Sequence, residues 1–234
     1  MERTVVLTFN GYFMKALISF MLAMVFLIPA SFSQVDKTQM SLDVSKKYEQ
    51  NIGQLAQLTW KRKTEGYVDG KMAMSSLSSV TIGPDGKLNA VVIQKQSYVA
   101  QKRGLRGAVQ KGVVSDINEY VKNAVELVNK YIFLSQGQMI DLFNKGTLSV
   151  LGNSLQAEGF NLLLQGDHVN FKFDQSLLLY QSQDISTVMN GDPVKAVVEY
   201  ETINGINRVN SVVIDLPGPK VKIKLDNFEY AKKL

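Results

Sequence analysis

The chain has no cysteine, one histidine and one tryptophan. Without cysteine it can form no disulfide, no thiolate nucleophile and no thiolate-bound zinc site. Its single histidine, His168, cannot alone supply the three or four ligands that zinc needs. No nucleotide-binding motif and no complete nucleophile motif is present. We therefore predict a protein that is not an enzyme and that holds no metal and no cofactor.

Four features resemble fragments of functional sites. Residues 152–156 (GNSLQ) begin like a serine-hydrolase elbow but lack its second glycine, and residues 104–107 have the GXXG spacing of a nucleic-acid clamp without its flanking helices. Glu199 and Glu201 share a strand face, and His168 lies on the polar side of its strand beside a turn. We interpret them as a turn, a connection and surface residues. A hydrolase that uses only Asp and Glu stays open as an alternative.

The charge is mildly basic, with 26 Lys and Arg against 21 Asp and Glu, a net charge of +5. The basic residues form short clusters, such as Lys61-Arg62-Lys63, and not the single concentrated patch of a nucleic-acid-binding protein. We interpret these clusters as solvated surface and predict no nucleic-acid partner. Weak contact with an anionic membrane surface is the alternative.

Residues 1–33 have the features of a secretory signal peptide. Lys15 precedes an almost wholly apolar run, Ala16–Ile28, which Pro29 ends. Ser31-Phe32-Ser33 then fits the small-residue rule for cleavage after Ser33. The run is shorter than the roughly 20 residues of a membrane-spanning helix, which argues against an uncleaved anchor. We predict an exported protein, periplasmic or secreted, of a Gram-negative bacterium. The start, Met1 or Met14, stays open.

Residues 34–234 are long enough for one domain with its own hydrophobic core. Apolar residues at spacings of three and four predict helices over 38–55, 116–133 and 136–145. Ser115 or Asp116 is the predicted N-cap of the second helix. Ser135 and Gln138 form a capping box for the third, with Gly146 at its end. Residues 95–114, rich in Gly, Lys and Gln, are predicted to be a flexible connection.

The rest of the chain alternates in the period of two that is typical of strands. A three-strand meander begins at Leu58, and eight further segments follow the helical pair, among them 155–165, 176–183 and a Lys-rich last strand from Lys220. Because strands and helices do not alternate regularly along the chain, we do not expect a parallel sheet. We predict an α+β domain over residues 34–234: a strongly curved antiparallel sheet of about ten strands, a half-barrel, with helices on its concave face.

This order of elements resembles the periplasmic lipoprotein-carrier group, LolA and LolB. Two segments carry the resemblance: Tyr48 followed by Leu58-Thr59-Trp60-Lys61, and the closing run Pro219–Ile223. The resemblance implies a half-open barrel with a helical lid over an apolar cavity. In the carriers that cavity takes acyl chains.

Aromatic and methionine side chains are the candidates for lining such a cavity, because they adapt to irregular apolar ligands. The predicted lining residues are Trp60, Met72, Met74, Tyr131, Met139, Phe143, Phe160, Phe171 and Phe173. We predict a carrier for an apolar or lipid-like ligand. The alternative is a packed core in a structural or assembly component of the cell envelope, with a protein partner bound through the last strand or residues 95–114.

Overall fold

The computed structural model describes residues 36–84, 86–98 and 105–233, with the backbone alone for residues 105–118. The predicted signal peptide and its cleavage site lie outside these residues. Lys37–Leu234 form one compact unit.

Three helices are described: α1 (Lys37–Leu55), α2 (Leu105–Ile132) and α3 (Gln136–Lys145). The first and third agree with the prediction. The second begins well before residue 116, so the predicted cap at Ser115 or Asp116 is wrong. The connection predicted over 95–114 is also wrong for residues 95–97, which belong to a strand, and for residues 105–114, which are helical, while residues 99–104 lie outside the described residues. Gly107 and Gly112 made this segment look flexible, since each costs about 1 kcal/mol in a helix. Extending a helix that is already nucleated costs far less than starting one, which explains the longer α2.

Ten strands follow the order of the chain. They are β1 (Leu58–Val68), β2 (Lys71–Ile82), β3 (Leu88–Ser97), β4 (Thr147–Leu151), β5 (Ser154–Phe160), β6 (His168–Asp174), β7 (Tyr180–Met189), β8 (Asp192–Ile203), β9 (Ile206–Leu216) and β10 (Val221–Lys232). They form one antiparallel sheet in the order β3-β2-β1-β10-β9-β8-β7-β6-β5-β4. The sheet is open, with β3 and β4 at its edges. The predicted α+β class with a ten-stranded antiparallel sheet is confirmed.

Side chains of the helices pack against one face of the sheet. In β10, Val221, Ile223 and Leu225 are buried and alternate with exposed lysines and an aspartate. These side chains join a large core cluster that also contains Val44 of α1 and Phe143 of α3. A sheet with one dry face needs such a cover. That the sheet curves around the helices stays a prediction.

Two strands are shorter than predicted, and a buried or turn-forming aspartate explains each. The strand predicted over 155–165 ends at Phe160, because Asp167 binds the following backbone in a loop. The strand predicted from residue 176 begins at Tyr180. There the carboxylate of Asp174 accepts hydrogen bonds from the backbone of Ser176 and Leu177 and forms a turn.

The ends of α3 match the sequence closely. The predicted capping box is confirmed: Ser135 accepts from the Gln138 N–H, and the Gln138 side chain accepts from the Ser135 N–H. Gly146 ends the helix, but with φ −80°, so the left-handed conformation is not the reason for a glycine here. A Cβ at this position would collide with the carbonyl oxygens of Leu142 and Glu158. Close backbone approach therefore requires the glycine.

Candidate ligand site between the helices and the sheet

The predicted lining residues fall into three groups. Five of them are fully buried in the large core cluster: Tyr131, Met139, Phe143, Phe171 and Phe173. Met74 is partly buried against that cluster, and Trp60 belongs to a second, smaller cluster with Leu55, Val80 and Ile82. Seven of the nine therefore lie on or beside the covered face.

Met72 and Phe160 lie apart from the other seven. Met72 is exposed on β2. Phe160 is 63% exposed and stacks on His168, with ring centroids 4.5 Å apart. Its neighbours in β5 alternate so that Phe160 lies on the face opposite the buried residues. A role for the nine residues in lining a cavity stays a prediction.

Tyr180 is the centre of the aromatic part of the core. Its ring centroid lies 4.7 Å from Phe173, 5.0 Å from Tyr200, 5.8 Å from Tyr48 and 5.9 Å from Phe171. Burial raises the pKa of Tyr180 and of Tyr200 well above the ordinary value for tyrosine. Both phenols therefore stay neutral and act as hydrogen-bonding groups.

Several buried polar atoms beside these rings have no hydrogen-bond partner among the described residues. They are both side-chain amide atoms of Gln183, the hydroxyl of Tyr200 and Oδ1 of Asn207. Gln183 is fully buried, and its amide lies beside the hydroxyls of Tyr180 and Tyr200 in a geometry that forms no hydrogen bond. Each such group costs about 1–3 kcal/mol. The core thus contains hydrogen-bonding capacity that the protein itself leaves unused.

A reciprocal pair of hydrogen bonds attaches α1 to the sheet here. The Asn51 side-chain amide donates to the carbonyl oxygen of Asn207 over 2.7 Å, and the Asn207 N–H donates to Oδ1 of Asn51 over 2.8 Å. Both residues are buried. The pair fixes the height of α1 above β9.

Arg62 is the unexpected member of the site. The sequence places it within the basic cluster 61–63, interpreted above as solvated surface, yet Arg62 is only 6% exposed and that interpretation is wrong for it. Arg62 and Trp60 lie two residues apart on the buried face of β1. The sequence contained a signal of this burial, because residues two apart in a strand point to the same face and Trp60 is a large apolar residue.

The guanidinium of Arg62 is held on one side only. Its Nε donates to Oδ1 of Asn227 over 2.8 Å, and the same oxygen accepts from Nε1 of Trp60 over 3.1 Å. In the described part of the chain no carboxylate lies within salt-bridge distance of Arg62, and its terminal amino groups have no hydrogen bond. Burial lowers the pKa of Arg62 to about 10, against the opposite effect of Tyr230. Arg62 is therefore a buried cation without an anion.

Three adjoining clefts surround Phe133, which follows the end of α2. Their volumes are about 340, 380 and 460 Å³, and Phe133 forms part of the wall of each. We call them together the Phe133 groove. Its apolar walls are Ile52, Leu88, Leu127, Phe133, Leu163 and Leu164. The residues come from α1, α2, the start of β3 and the loop after β5.

Asp167 fixes the conformation of the loop that contributes Leu163 and Leu164 to the groove. Its carboxylate accepts hydrogen bonds from the N–H groups of Leu162, Leu163 and Leu164 over 2.7, 2.8 and 2.9 Å, and from the Tyr131 hydroxyl over 2.9 Å. In the sequence this aspartate belongs to the turn beside His168, and nothing local indicates that it is buried. Asp167 is 1% exposed and organises the leucine loop beside the groove.

The described residues offer no other recognisable chemistry. They contain no group of three or more His, Asp or Glu side chains placed to hold a metal ion. His168 lies at the surface, with Nε2 2.6 Å from Oε1 of Glu158. None of α1, α2 and α3 combines the length and the apolar character that a membrane-spanning helix requires.

Two solved structures are similar to this chain in fold. A DUF1329 family protein from Desulfovibrio piger is 11% identical, with a TM-score of 0.42, and the match covers 86% of this chain and 95% of that protein. A LolA superfamily protein from Nitrosomonas europaea is 8% identical, with a TM-score of 0.37, over 83% of this chain and 94% of that one. The second bears the name of the group that the element order of the sequence resembles. No protein-family model and no curated protein sequence matches the chain.

Proposed function

We propose that this protein is an exported binding or carrier protein for an apolar or lipid-like ligand and that it catalyses no reaction. The observation that carries the proposal is the position of the Phe133 groove. Phe133 and Ile52 pack against both core clusters, so the groove reaches the surface where the two clusters meet. A ligand bound there would contact apolar side chains that are continuous with the core and would not lie on a polar surface.

The physical driving force is burial of apolar area. Each Å² removed from water contributes about 25 cal/mol before the entropic costs of binding. The groove combines this apolar wall with a few polar groups at its border, including Lys130 and Gln138. Such a combination is typical of small-molecule sites.

The unused polar atoms of the core support the same proposal. A protein selected for stability alone has little reason to keep a buried amide oxygen such as Oδ1 of Asn207 without a partner, since the cost is about 1–3 kcal/mol for each group. A site that accepts a ligand or water has such a reason. Stability is given up at positions where binding occurs.

The exported location rests on the sequence of residues 14–33, with its apolar run, its proline and its small-residue cleavage site. The absence of cysteine suits a periplasmic protein whose stability comes from packing. In that compartment a lipid-like molecule needs shelter from water, which a carrier supplies.

The test begins with the mature chain purified without detergent and extracted for mass spectrometry. We expect a co-purified lipid, or stoichiometric uptake of a fluorescent fatty acid, and we expect Phe133→Ser to weaken uptake about fivefold or more. Leu177→Ser is the matched control, because Leu177 is an exposed leucine that lines none of the three clefts. Absence of both lipid and uptake would contradict the proposal.

A second candidate function is supported by the edge strand β3. Val91, Val92 and Ile93 are 68%, 56% and 58% exposed on this edge. A long apolar edge invites pairing with another strand. The alternative is therefore a component of the envelope that binds a protein partner along β3. A photo-cross-linker at Val92, compared with one at exposed Lys122, would give a stoichiometric product only in this case.

A further inference from the structure

We propose that Arg62 is an anion-binding residue and that the ligand bears a carboxylate or a phosphate at the end of its apolar chain. This inference rests on the proposed function and specifies its ligand class. The observation behind it is a buried guanidinium whose terminal amino groups have no partner among the described residues.

The first step is the cost of leaving Arg62 as it is. Guanidinium has five N–H donors and stays charged at physiological pH, and the one donor used here is Nε. The terminal amino nitrogens have no hydrogen bond with the described residues and keep a small contact with solvent. A charge with so little access to water is costly to leave unpaired. Buried charges in proteins are accordingly paired or bound to a ligand, and the described residues supply no anion within 4.0 Å of this one.

The second step is that Glu201, an acidic residue on this side of the core, already pairs with another arginine. Glu201 lies 2.9 Å from Nε of Arg208. Arg208 in turn lies over the ring of Tyr230, at 4.3 Å from the centroid. Tyr230 is the group whose proximity affects the pKa of Arg62, and burial raises the pKa of Tyr230 itself, so it stays neutral. The three groups leave Arg62 without a counter-ion.

The third step is that Arg62 is preorganised. Asn227 accepts from Arg62 and Trp60 through Oδ1 and donates through Nδ2 to the carbonyl of Val209 over 3.1 Å. Asn227 therefore has one orientation, and it fixes the Nε edge of the guanidinium. A planar guanidinium held in this way presents its other donors to a carboxylate or phosphate in the fork geometry that both anions accept.

The fourth step is continuity between Arg62 and the Phe133 groove. Trp60, a member of the smaller core cluster, stacks on Tyr230 with a centroid distance of 5.2 Å, and Tyr230 packs against that cluster. Phe133 and Leu88, two walls of the groove, pack against the same cluster. Trp60 lies between Arg62, which shares its acceptor on Asn227, and the cluster that the groove walls contact. In the proposed complex the acidic group binds at Arg62 and the apolar chain runs past Trp60 toward Phe133.

The experiment compares three ligands with the same sixteen-carbon chain: hexadecanoic acid, hexadecyl phosphate and hexadecanol. Binding to the mature wild-type chain is measured together with Arg62→Gln and Lys63→Gln. Lys63→Gln is the matched control, because it removes the same charge from the next residue of β1, whose side chain is exposed. Circular dichroism and thermal unfolding of each variant establish that it is folded.

We expect the acid, the phosphate or both to bind about tenfold or more tightly than the alcohol. Arg62→Gln should reduce this preference to near unity, and Lys63→Gln should preserve it. Preference for the acid alone or the phosphate alone identifies the source of the anion. Should Arg62→Gln fail to fold, the wild-type comparison of acid, phosphate and alcohol still decides.

Equal binding of all three ligands by the wild-type chain would overturn the role of Arg62 and leave the carrier function standing. A preference that survives Arg62→Gln would do the same. Binding of none of the three would contradict the carrier function and, with it, this inference.

Discussion

The hydroxyl of Tyr131 lies 2.9 Å from Oδ2 of Asp167, and this hydrogen bond connects α2 to the leucine loop after β5. Both side chains are buried. The same hydroxyl lies 3.0 Å from Oγ1 of Thr187 on β7. One phenol therefore holds a helix, a loop and a strand at the edge of the Phe133 groove.

The Asp167 carboxylate should be the largest single polar contribution to stability in this region. Asp167→Ala leaves three backbone N–H groups and the Tyr131 hydroxyl without their acceptor, so we expect a loss of about 3 kcal/mol in the free energy of unfolding. Tyr131→Phe should cost about 1 kcal/mol. Urea denaturation measures both. Asp184→Ala, at an exposed position of β7, is the control and should stay within about 0.5 kcal/mol of wild type. Equal effects at Asp167 and Asp184 would contradict this role.

Two glycines of one helix should respond in opposite directions to alanine. At Gly146 a Cβ would meet two backbone carbonyl oxygens, so Gly146→Ala should destabilise the protein by about 2 kcal/mol or more. At Gly137 a Cβ would have nothing within 4 Å, and Gly137→Ala should stabilise by about 0.5–1 kcal/mol. Thermal unfolding of the two variants checks the pair. A neutral Gly146→Ala would show that β5 does not approach the end of α3 as described.

The two hydrogen bonds between Asn51 and Asn207 should contribute most of the polar attachment of α1 to β9. Asn51→Ala removes both hydrogen bonds and leaves the Asn207 N–H and carbonyl buried without their partner, with an expected cost of about 2–3 kcal/mol. Hydrogen exchange at the Asn207 amide should become faster in this variant. Asn123→Ala, on the exposed side of α2, serves as control. Unchanged exchange at Asn207 would mean that α1 is not attached through Asn51.

Stability should fall as the solution becomes alkaline. Burial raises the pKa of Tyr48 and Tyr131, and burial together with Asp192 raises the pKa of Tyr120 to about 12. Unfolded tyrosines lose their protons near pH 10, while the folded ones keep them, so the unfolded state gains stability above that pH. Urea denaturation between about pH 9 and pH 11 measures the slope.

Tyr131→Phe gives the control for this slope, because it removes one titrating group and keeps the ring. Its slope should be shallower by up to about 1.4 kcal/mol per pH unit. A wild-type stability that is constant up to pH 11 would show that the tyrosines are not buried in solution.

Much of the fold was predictable, because its signals are local. The capping box at Ser135 and Gln138 and the alternation of Val221, Ile223 and Leu225 each depend on a few neighbouring residues. The leucine loop was not predictable, since three consecutive leucines fit a strand as well as a loop. The deciding interaction comes from the Asp167 carboxylate and from Tyr131 in a distant helix.

The candidate site was harder to predict from the sequence than the fold. Tyr131, Phe143 and Phe171 are buried, as the helix and strand periods of their segments indicate, and their role in lining a cavity stays a prediction. Arg62 was hidden within a run of three basic residues that suggested solvent exposure. Its burial follows from the pairing of β1 with β10, which brings Asn227 opposite it. Such pairing between distant strands is not encoded in the local sequence.

The central claim is that an apolar ligand binds in the Phe133 groove, against the smaller core cluster. Trp60, the only tryptophan of the chain, belongs to that cluster and is buried, so its fluorescence reports on this place alone. We predict that dibrominated stearic acid, whose bromines quench tryptophan on contact, lowers the Trp60 emission in a saturable manner, that unbrominated stearic acid does not, and that Phe133→Ser weakens the effect. Equal emission with the brominated and the unbrominated acid, at concentrations up to their solubility, would contradict the account.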